Sequence, residues 1–494
     1  MKIAITYPPL KDKKGTPLLS QNRQFQWFYH PTFIYPMIPA QAATMLKKVG
    51  HQVFWLDGIA EEWSFQKWLA EIKKIKPDII LIETKTPVIK RHWRIIDQIK
   101  KLQTKDFKTK VVLVGDHVTA LPEESFKNSK VDYILTGGDY DFLLLNLANH
   151  LAKKEKLESG IYYRQKGKIK NTGQFQLNHD LNKIPFIDRE LTKWQLYAYQ
   201  NGNYKRTPGT YLMSGRDCWW RKDGGCKFCA WTILYPQYRV RKPEKVLDEI
   251  GELINKYQIK EIMDDTGTFP IGEWLREFCQ GMIKRGYHKK IYFDCNMRFG
   301  ALTEKDYELM AKANFRFLLY GLESANQTTV DRLNKGTKIK EIEKELKIAK
   351  MANQKVKGHL EPHVTCMVGY PWENKRDAQK TIKMTKNLFA HGLIQTLQAT
   401  VTVPYPGTAL FKECQKNNWL KTENWDQYDM SRPVMKNPMK DKEVIALTQG
   451  IYKSFMTPSF ILRKITSLRS LEDLKFLGRS GKALFGHLVD FGKK

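Results

Sequence analysis

The feature that most constrains this chain is the alternation of short apolar runs with amphipathic helical stretches along most of its 494 residues. Repetition of that kind leads to parallel strands joined by helical crossovers. It comes in two blocks. In the first, apolar runs at Ile3 to Thr6, Val53 to Leu56, Ile79 to Ile82, Val111 to Val114 and Tyr133 to Leu135 are separated by helical stretches such as Gln41 to Lys48 and Trp93 to Leu102. The pattern predicts a five-stranded, doubly wound, Rossmann-like α/β domain over residues 1–155. Such sheets bind ligands beyond the C-terminal ends of their strands. There the chain places Tyr7, Pro8 and Pro9, then Glu83 to Pro87, Gly115 to Thr119, and Gly137 to Asp141.

In the second block, residues 205–415, an apolar run before Cys218 is followed by runs at Ile262 to Met263, Ile291 to Cys295, Phe315 to Leu322, His363 to Val368 and Leu397 to Val403. Helical spacing fills the gaps, as at Val246, Leu247, Ile250, Leu253 and Ile254. Six strands alternating with helices predict a partial (β/α)6 TIM-type barrel with its function at the strands' C-terminal ends. Cys218, Cys226 and Cys229 follow the first of these strands. Three soft ligands there suit an iron–sulfur cluster with one iron left open. Structural zinc usually takes four protein ligands, and no fourth cysteine or histidine follows at finger spacing. The competing reading is three buried structural thiols.

The wording around these cysteines resembles the radical SAM superfamily, in which three cysteines hold a 4Fe-4S cluster whose open iron binds S-adenosylmethionine (SAM). Phe228, just before the last cysteine, fits that resemblance. The spacing departs from it: seven residues, Trp219 to Gly225, separate Cys218 from Cys226, where three are usual. Later landmarks appear in the family's order over residues 205–415: Glu323 and Ser324 at a strand end, Asn334 to Gly336, Met367 to Glu373, and Pro404 to Leu410. The resemblance implies a SAM pocket at these ends. Glu323 is the first candidate for the amine or ribose, with Phe228, Ser324, Asp265 and Arg298 beside it. For Asp265 and Arg298, bonding to nearby backbone is the alternative.

A doubly wound domain directly upstream of such a core resembles the cobalamin-binding branch of the superfamily. Supporting segments are Gly50 to Gly58, Gly115 to Glu124 and Thr136 to Asp141. The resemblance implies cobalamin contacts from Pro8, Pro9, Thr84, Thr86, Gly115, His117, Thr119, Gly137 and Gly138. The Asp-x-His-x-x-Gly signature of a cobalt-ligating histidine is absent, so His117 is expected to bond backbone or the corrin periphery. In this branch a reduced cluster cleaves SAM, a hydrogen atom leaves an unactivated carbon, and a methyl group is delivered from cobalamin. Ring closure or rearrangement is the branch's other outcome. An external electron donor such as flavodoxin or ferredoxin is implied as a partner.

Residues 156–204 read as a connector containing a hairpin between Tyr162 and Ile169. Residues 416–494 read as a basic, amphipathic, helical extension. From Phe460 onward, residues such as Leu462, Ile465, Leu474, Leu484 and Phe491 interleave with Arg463, Lys464, Arg469, Lys475 and Lys482. Two readings stand for this tail: helices lying on an anionic membrane surface, or a lid on the barrel with a basic outer face. The first would favour a lipid substrate. The net charge of +31 also suits polyanions, but no recognisable RNA-binding module accompanies it, so an RNA-modifying enzyme is the weaker alternative. No run reaches the roughly 18 to 20 apolar residues needed to span a bilayer. The seven cysteines form no disulfide framework. A cytoplasmic protein is expected, with a peripheral membrane position as the alternative that the tail offers.

Overall fold

The computed structural model describes residues 1–10, 12–19, 25–455, 457–466, 468 and 471–490. Its first sheet contains β1 (Lys2–Tyr7), β2 (Gln52–Asp57), β3 (Ile79–Glu83), β4 (Lys110–Val114), β5 (Tyr133–Leu135), β6 (Ile161–Gln165) and β7 (Lys168–Asn171), in the spatial order β2-β1-β3-β4-β5-β6-β7. The first five are parallel and match the five expected runs to within one residue at each end. Every residue of β3 is buried, as a parallel strand covered on both faces by helices requires. The order 2-1-3-4-5 puts the topological switch point between β1 and β3, where a ligand crevice forms in such sheets.

The hairpin expected in the connector forms, turning through Lys166 and Gly167, both with positive φ. It does not stand apart. β6 pairs antiparallel with β5, matching Leu135 to Ile161, so the hairpin extends the first sheet to seven strands.

The second sheet is wholly parallel and follows chain order: β8 (Gly209–Leu212), β9 (Glu261–Asp264), β10 (Tyr292–Met297), β11 (Phe315–Glu323), β12 (Glu361–Val368) and β13 (Thr396–Val401). Helices between successive strands include Pro243–Tyr257, with proline in its first turn, and Glu304–Lys312, closed by a Thr303/Asp306 capping box. At the N-terminal ends of the strands, the buried Arg316 gathers Glu261 (2.6 Å), Asp294 (3.1 Å) and Glu361 (2.8 Å). These charges close the bottom of the barrel and leave its other end for function.

The tail docks at that bottom. Asp473 pairs with Arg206 at 3.0 Å, Arg479 donates to the carbonyl of Tyr204, and Phe476 lies 5.9 Å from the Arg316 guanidinium. Phe460 is buried against Phe389 and Phe455, while Arg463 donates to the carbonyls that end the helix Lys375–Ala390. Ile461, Leu462, Ile465 and Leu474 stay exposed. The lid reading therefore describes how the tail packs, and it packs at the end of the barrel away from the mouth. Arg469, Phe491, Lys493 and Lys494 lie outside the described residues, as do the side chains of Lys482, Leu484, Phe485, Leu488 and Val489. The extension is not helical throughout. Before its first helix, Asp441–Tyr452, a strap crosses onto the first unit, where Trp425 donates to Glu124 at 2.8 Å.

The two units join through a buried ionic junction. Arg216 bridges Asp139 (2.6 Å), Asp141 (2.5 Å) and the side-chain oxygen of Gln41 (3.0 Å), and Arg239 also reaches Asp139 at 2.6 Å. His179 adds to it from the segment after β7, bonding Asp139 at 3.1 Å and Glu158 at 3.0 Å and stacking on Phe142. Burial alone would lower the pKa of His179, but the two carboxylates on its ring nitrogens outweigh burial and raise it to about 9. A raised histidine contributes stability that is complete below its unfolded value near 6.5 and is lost as pH climbs through the folded value. Chemical denaturation is therefore expected to show stability falling by roughly 1 to 2 kcal/mol between about pH 6.5 and 9, after allowance for solvent screening. His179→Gln should flatten that descent; an equal slope in the variant would mean that another group sets it.

Candidate active site at the cysteine loop

The cysteine loop leaves the barrel at the end of β8. Asp264, the last residue of β9, holds the amide and hydroxyl of Ser214 at 2.8 and 2.6 Å. Gly215 and Arg216 then pair antiparallel with Arg239 and Val240, closing the loop at its base. A Cβ on Gly215 would come within 2.5 Å of the Arg239 carbonyl, so that pairing requires glycine.

Within the loop, Cys218 precedes a 3-10 turn over Trp219–Asp223, and its Sγ lies 2.7 Å from the Thr268 hydroxyl. Cys226 and Cys229 share a tight turn in which the Cys229 amide donates to the Cys226 carbonyl. All three thiols are partly exposed. The other four cysteines are buried, and burial pushes the thiols of Cys279, Cys295 and Cys366 well above the ordinary range and that of Cys414 up to about 12. Only a thiolate ligates metal. Exposure thus separates the three cysteines of the loop from the other four. Among the described residues no three His, Cys, Asp or Glu side chains converge on one metal ion. A multi-iron cluster carries its thiolates on different irons and does not require such convergence.

Four further candidates gather beside the loop. Glu323 ends β11 in a left-handed conformation, φ 63°, at a register slip against β12. Lys335 fixes it there with a bond of 2.9 Å, and Thr365 approaches its other oxygen at 3.4 Å. A non-glycine residue in that region of φ persists only where its surroundings over-determine it. Phe228 packs on Leu333, Met367 and Tyr370, with the Lys335 ammonium 5.8 Å from its ring. Arg298 follows β10 directly and donates to the Lys335 carbonyl. Asp265 follows β9, bonded through its amide to Leu212. Ser324 is different: its hydroxyl accepts the Asn326 amide in a local turn. Lys335, Thr268 and the Trp219–Trp220 pair are also part of the site. Sequence reasoning marked the segment Asn334 to Gly336 without seeing that its lysine pairs with Glu323.

The edge of the first sheet is more tightly filled than expected. Thr84 bonds His92 at 2.7 Å, and Thr86 bonds His117 at 3.1 Å. The second nitrogen of His117 bonds Glu124 at 2.9 Å, so both ring nitrogens are held by protein side chains. Thr119 donates to the Gly115 carbonyl and accepts the Gly137 amide. Pro9, half-buried, packs on Gly58, and Pro8 is buried beside it. The three glycines expected to admit a corrin are packed against the protein itself. A Cβ on Gly115 would meet the Thr84 carbonyl at 2.2 Å, on Gly137 the Phe175 ring at 2.5 Å, and on Gly138 the Tyr235 ring at 1.9 Å. Close approach of the chain to itself explains them, whatever else binds nearby.

A crevice does remain between the two units. Glu83, Lys85, Asp116 and Tyr140 line it from the first sheet, and Ala230, Trp231 and Leu234, immediately after Cys229, line it from the cysteine loop. Burial raises the Glu83 pKa, with the hydroxyls of Tyr7 and Tyr140 bonded to the carboxyl. Burial likewise pushes Asp57 up to about 6 at the end of β2, where the Tyr197 hydroxyl donates to it at 2.7 Å.

Residues 214–385 match the family model of the radical SAM superfamily. The match takes in the cysteine loop and the barrel strands β9 to β12. An uncharacterized methyltransferase of Pyrococcus horikoshii is 27% identical over 441 residues, which cover 87% of this chain and 90% of the relative. The cobalamin-dependent SAM radical enzyme OxsB superposes on 98% of this chain and 71% of its own with a TM-score of 0.67 at 15% identity. The radical SAM methyltransferase TsrM of Kitasatospora setae, solved with cobalamin and a 4Fe-4S cluster, covers 99% of both chains, also at 0.67, with 12% identity. The chain thus shares the fold of both of its units, and their arrangement, with those two proteins.

Alanine in place of Cys218, Cys226 or Cys229 is expected to abolish iron incorporation on anaerobic reconstitution, since two thiolates cannot hold a cluster that needs three. Cys279→Ala and Cys414→Ala should keep a full iron and sulfide complement. Retained iron in Cys218→Ala would place the third ligand elsewhere and break the link drawn here between exposure and ligation.

Proposed function

We propose that this radical SAM enzyme depends on a 4Fe-4S cluster, SAM and cobalamin and transfers a methyl group to an unactivated carbon of a small organic substrate. The observation that carries the reading is the junction of the two units. The C-terminal edge of the first sheet lies against the residues that follow Cys229, so a cofactor seated on that edge would face the cysteine loop. Similarity to a methyltransferase along nearly the whole chain supports the outcome, and the shared two-unit fold supports the cofactor set.

When bound, the cluster supplies the electron that cleaves SAM, and cobalamin carries the methyl group. The chain's own residues hold and seal. Cys218, Cys226 and Cys229 supply the thiolates. The Glu323 carboxylate, already charge-paired with Lys335, is placed to accept bonds from the SAM amine or ribose. Trp231 and Leu234 line the crevice with apolar surface and exclude water from reactive carbon. The buried carboxyl of Glu83 and the hydroxyl of Tyr140 offer it polar contacts from the opposite wall. Lys222 and Lys227, beside the cysteines at the surface, suit an acidic electron carrier of the flavodoxin or ferredoxin kind. The tail gives no ground for a lipid substrate, because it docks on the Arg316 end of the barrel.

Anaerobic reconstitution with iron, sulfide and hydroxocobalamin, followed by mass analysis of SAM products, tests the proposal. Both 5'-deoxyadenosine and S-adenosylhomocysteine are expected. Deoxyadenosine alone would replace methyl transfer with ring closure or rearrangement, and absence of a corrin spectrum in iron-replete protein would remove cobalamin.

A further inference from the structure

Seven residues lie between Cys218 and Cys226, and the structure shows what they do. Trp219 and Trp220, the first two, place their rings 5.4 and 4.3 Å from the guanidinium carbon of Arg298. Trp220 is locked in place: its indole N–H donates to the Asn334 carbonyl at 2.7 Å, and its ring lies so close to Gly336 that a Cβ there would come within 2.3 Å. The far end of the segment is fastened to the same stretch, since the Asn334 amide group donates to the carbonyls of Asp223 and Gly225 at 2.6 and 2.9 Å.

Arg298 itself is 5% exposed. One of its terminal nitrogens is bonded to the Lys335 carbonyl, and the other lies 3.6 Å from Cys226 Sγ. Nε has no bonding partner among the described residues. An arginine fixed by aromatic rings and by a carbonyl thus keeps one terminal nitrogen beside the Cys226 sulfur.

We propose that the segment between Cys218 and Cys226 exists to hold Arg298 against Cys226, and that Arg298 is a positioning residue that raises the reduction potential of the cluster instead of binding SAM. This rests on the reading of the three cysteines as cluster ligands. Adding an electron makes the cluster more negative, so a buried cation and an N–H···S bond at one thiolate favour the reduced form. Low local dielectric enlarges the effect. The planar guanidinium matters because it can stack on indole and still present a fork of donors, which an ammonium cannot do.

The test uses the reconstituted full-length enzyme, with iron content, midpoint potential from an EPR-monitored titration, and SAM affinity measured on each variant. Arg298→Met is expected to keep its iron and shift the midpoint negative by about 59 mV, a tenfold change in the one-electron equilibrium. Arg298→Lys should fall between the two, and Trp220→Leu should move the potential the same way by loosening the arginine, with SAM affinity within about twofold throughout. An unmoved potential in iron-replete Arg298→Met overturns the proposal, and SAM affinity lost in its place returns Arg298 to the SAM pocket. Should Arg298→Met fail to load iron, Trp220→Leu decides alone: a negative shift supports the proposal and an unchanged midpoint overturns it. Failure of the underlying cysteine reading appears separately, as iron retained in Cys226→Ala.

Discussion

Everything about this molecule's two-unit geometry hangs on one buried guanidinium. Arg216 lies two residues before Cys218, yet its partners Asp139, Asp141 and Gln41 all belong to the first unit. Such an arrangement is a poor source of net stability, because taking the charges out of water costs about as much as their attraction returns. Its contribution is to uniqueness. An unpaired charge in that interior would be prohibitive, so the units have one docking position in which the arginine is satisfied. That position sets the cysteine loop against the edge of the first sheet. Asp139, shared by Arg216, Arg239 and His179, extends the constraint to the connector after β7.

A second charge centre fixes the polarity of the barrel. With Glu261, Asp294 and Glu361 gathered on Arg316, and with Asp473 on Arg206, the strands' N-terminal end is closed by ions and then covered by the helix Leu471–Asp490. At the other end the strand termini carry Asp265, Arg298 and Glu323, and the strap through Trp425 binds the first unit. The exposed row Ile461, Leu462 and Ile465 belongs to the closed end, so any surface that it meets lies across the barrel from the chemistry.

The sequence was most legible where periodicity is strong. All eleven parallel strands were visible as apolar runs, since strands buried on both faces read as continuous hydrophobic segments. The grouping of the cysteines was legible too, because loop ligands must lie close in sequence. Long-range pairings were not. That Lys335 would meet Glu323, that Arg216 would reach back to Asp139, or that Gly138 would lie against Tyr235 depends on how loops fold over one another, and no local pattern encodes that. The glycines illustrate the difference. Gly115, Gly137 and Gly138 each lie where the chain comes close to a distant part of itself, at Thr84, Phe175 and Tyr235.

The long spacing between Cys218 and Cys226 shows how a loop can absorb extra residues between two cysteines. Extra residues in a loop cost little closure entropy, and here they are absorbed by a 3-10 turn whose ends are tied down separately. At one end Asp217, in a left-handed conformation, pairs with Arg221; at the other, the Lys227 amide donates to the Leu333 carbonyl. Between those anchors the two indoles pack on Arg298 and only Lys222 to Gly224 are exposed, leaving the Cys226–Cys229 turn seated on the segment after β11. The position of each cysteine in this loop is therefore set less by the residue count between them than by what its neighbours are bonded to.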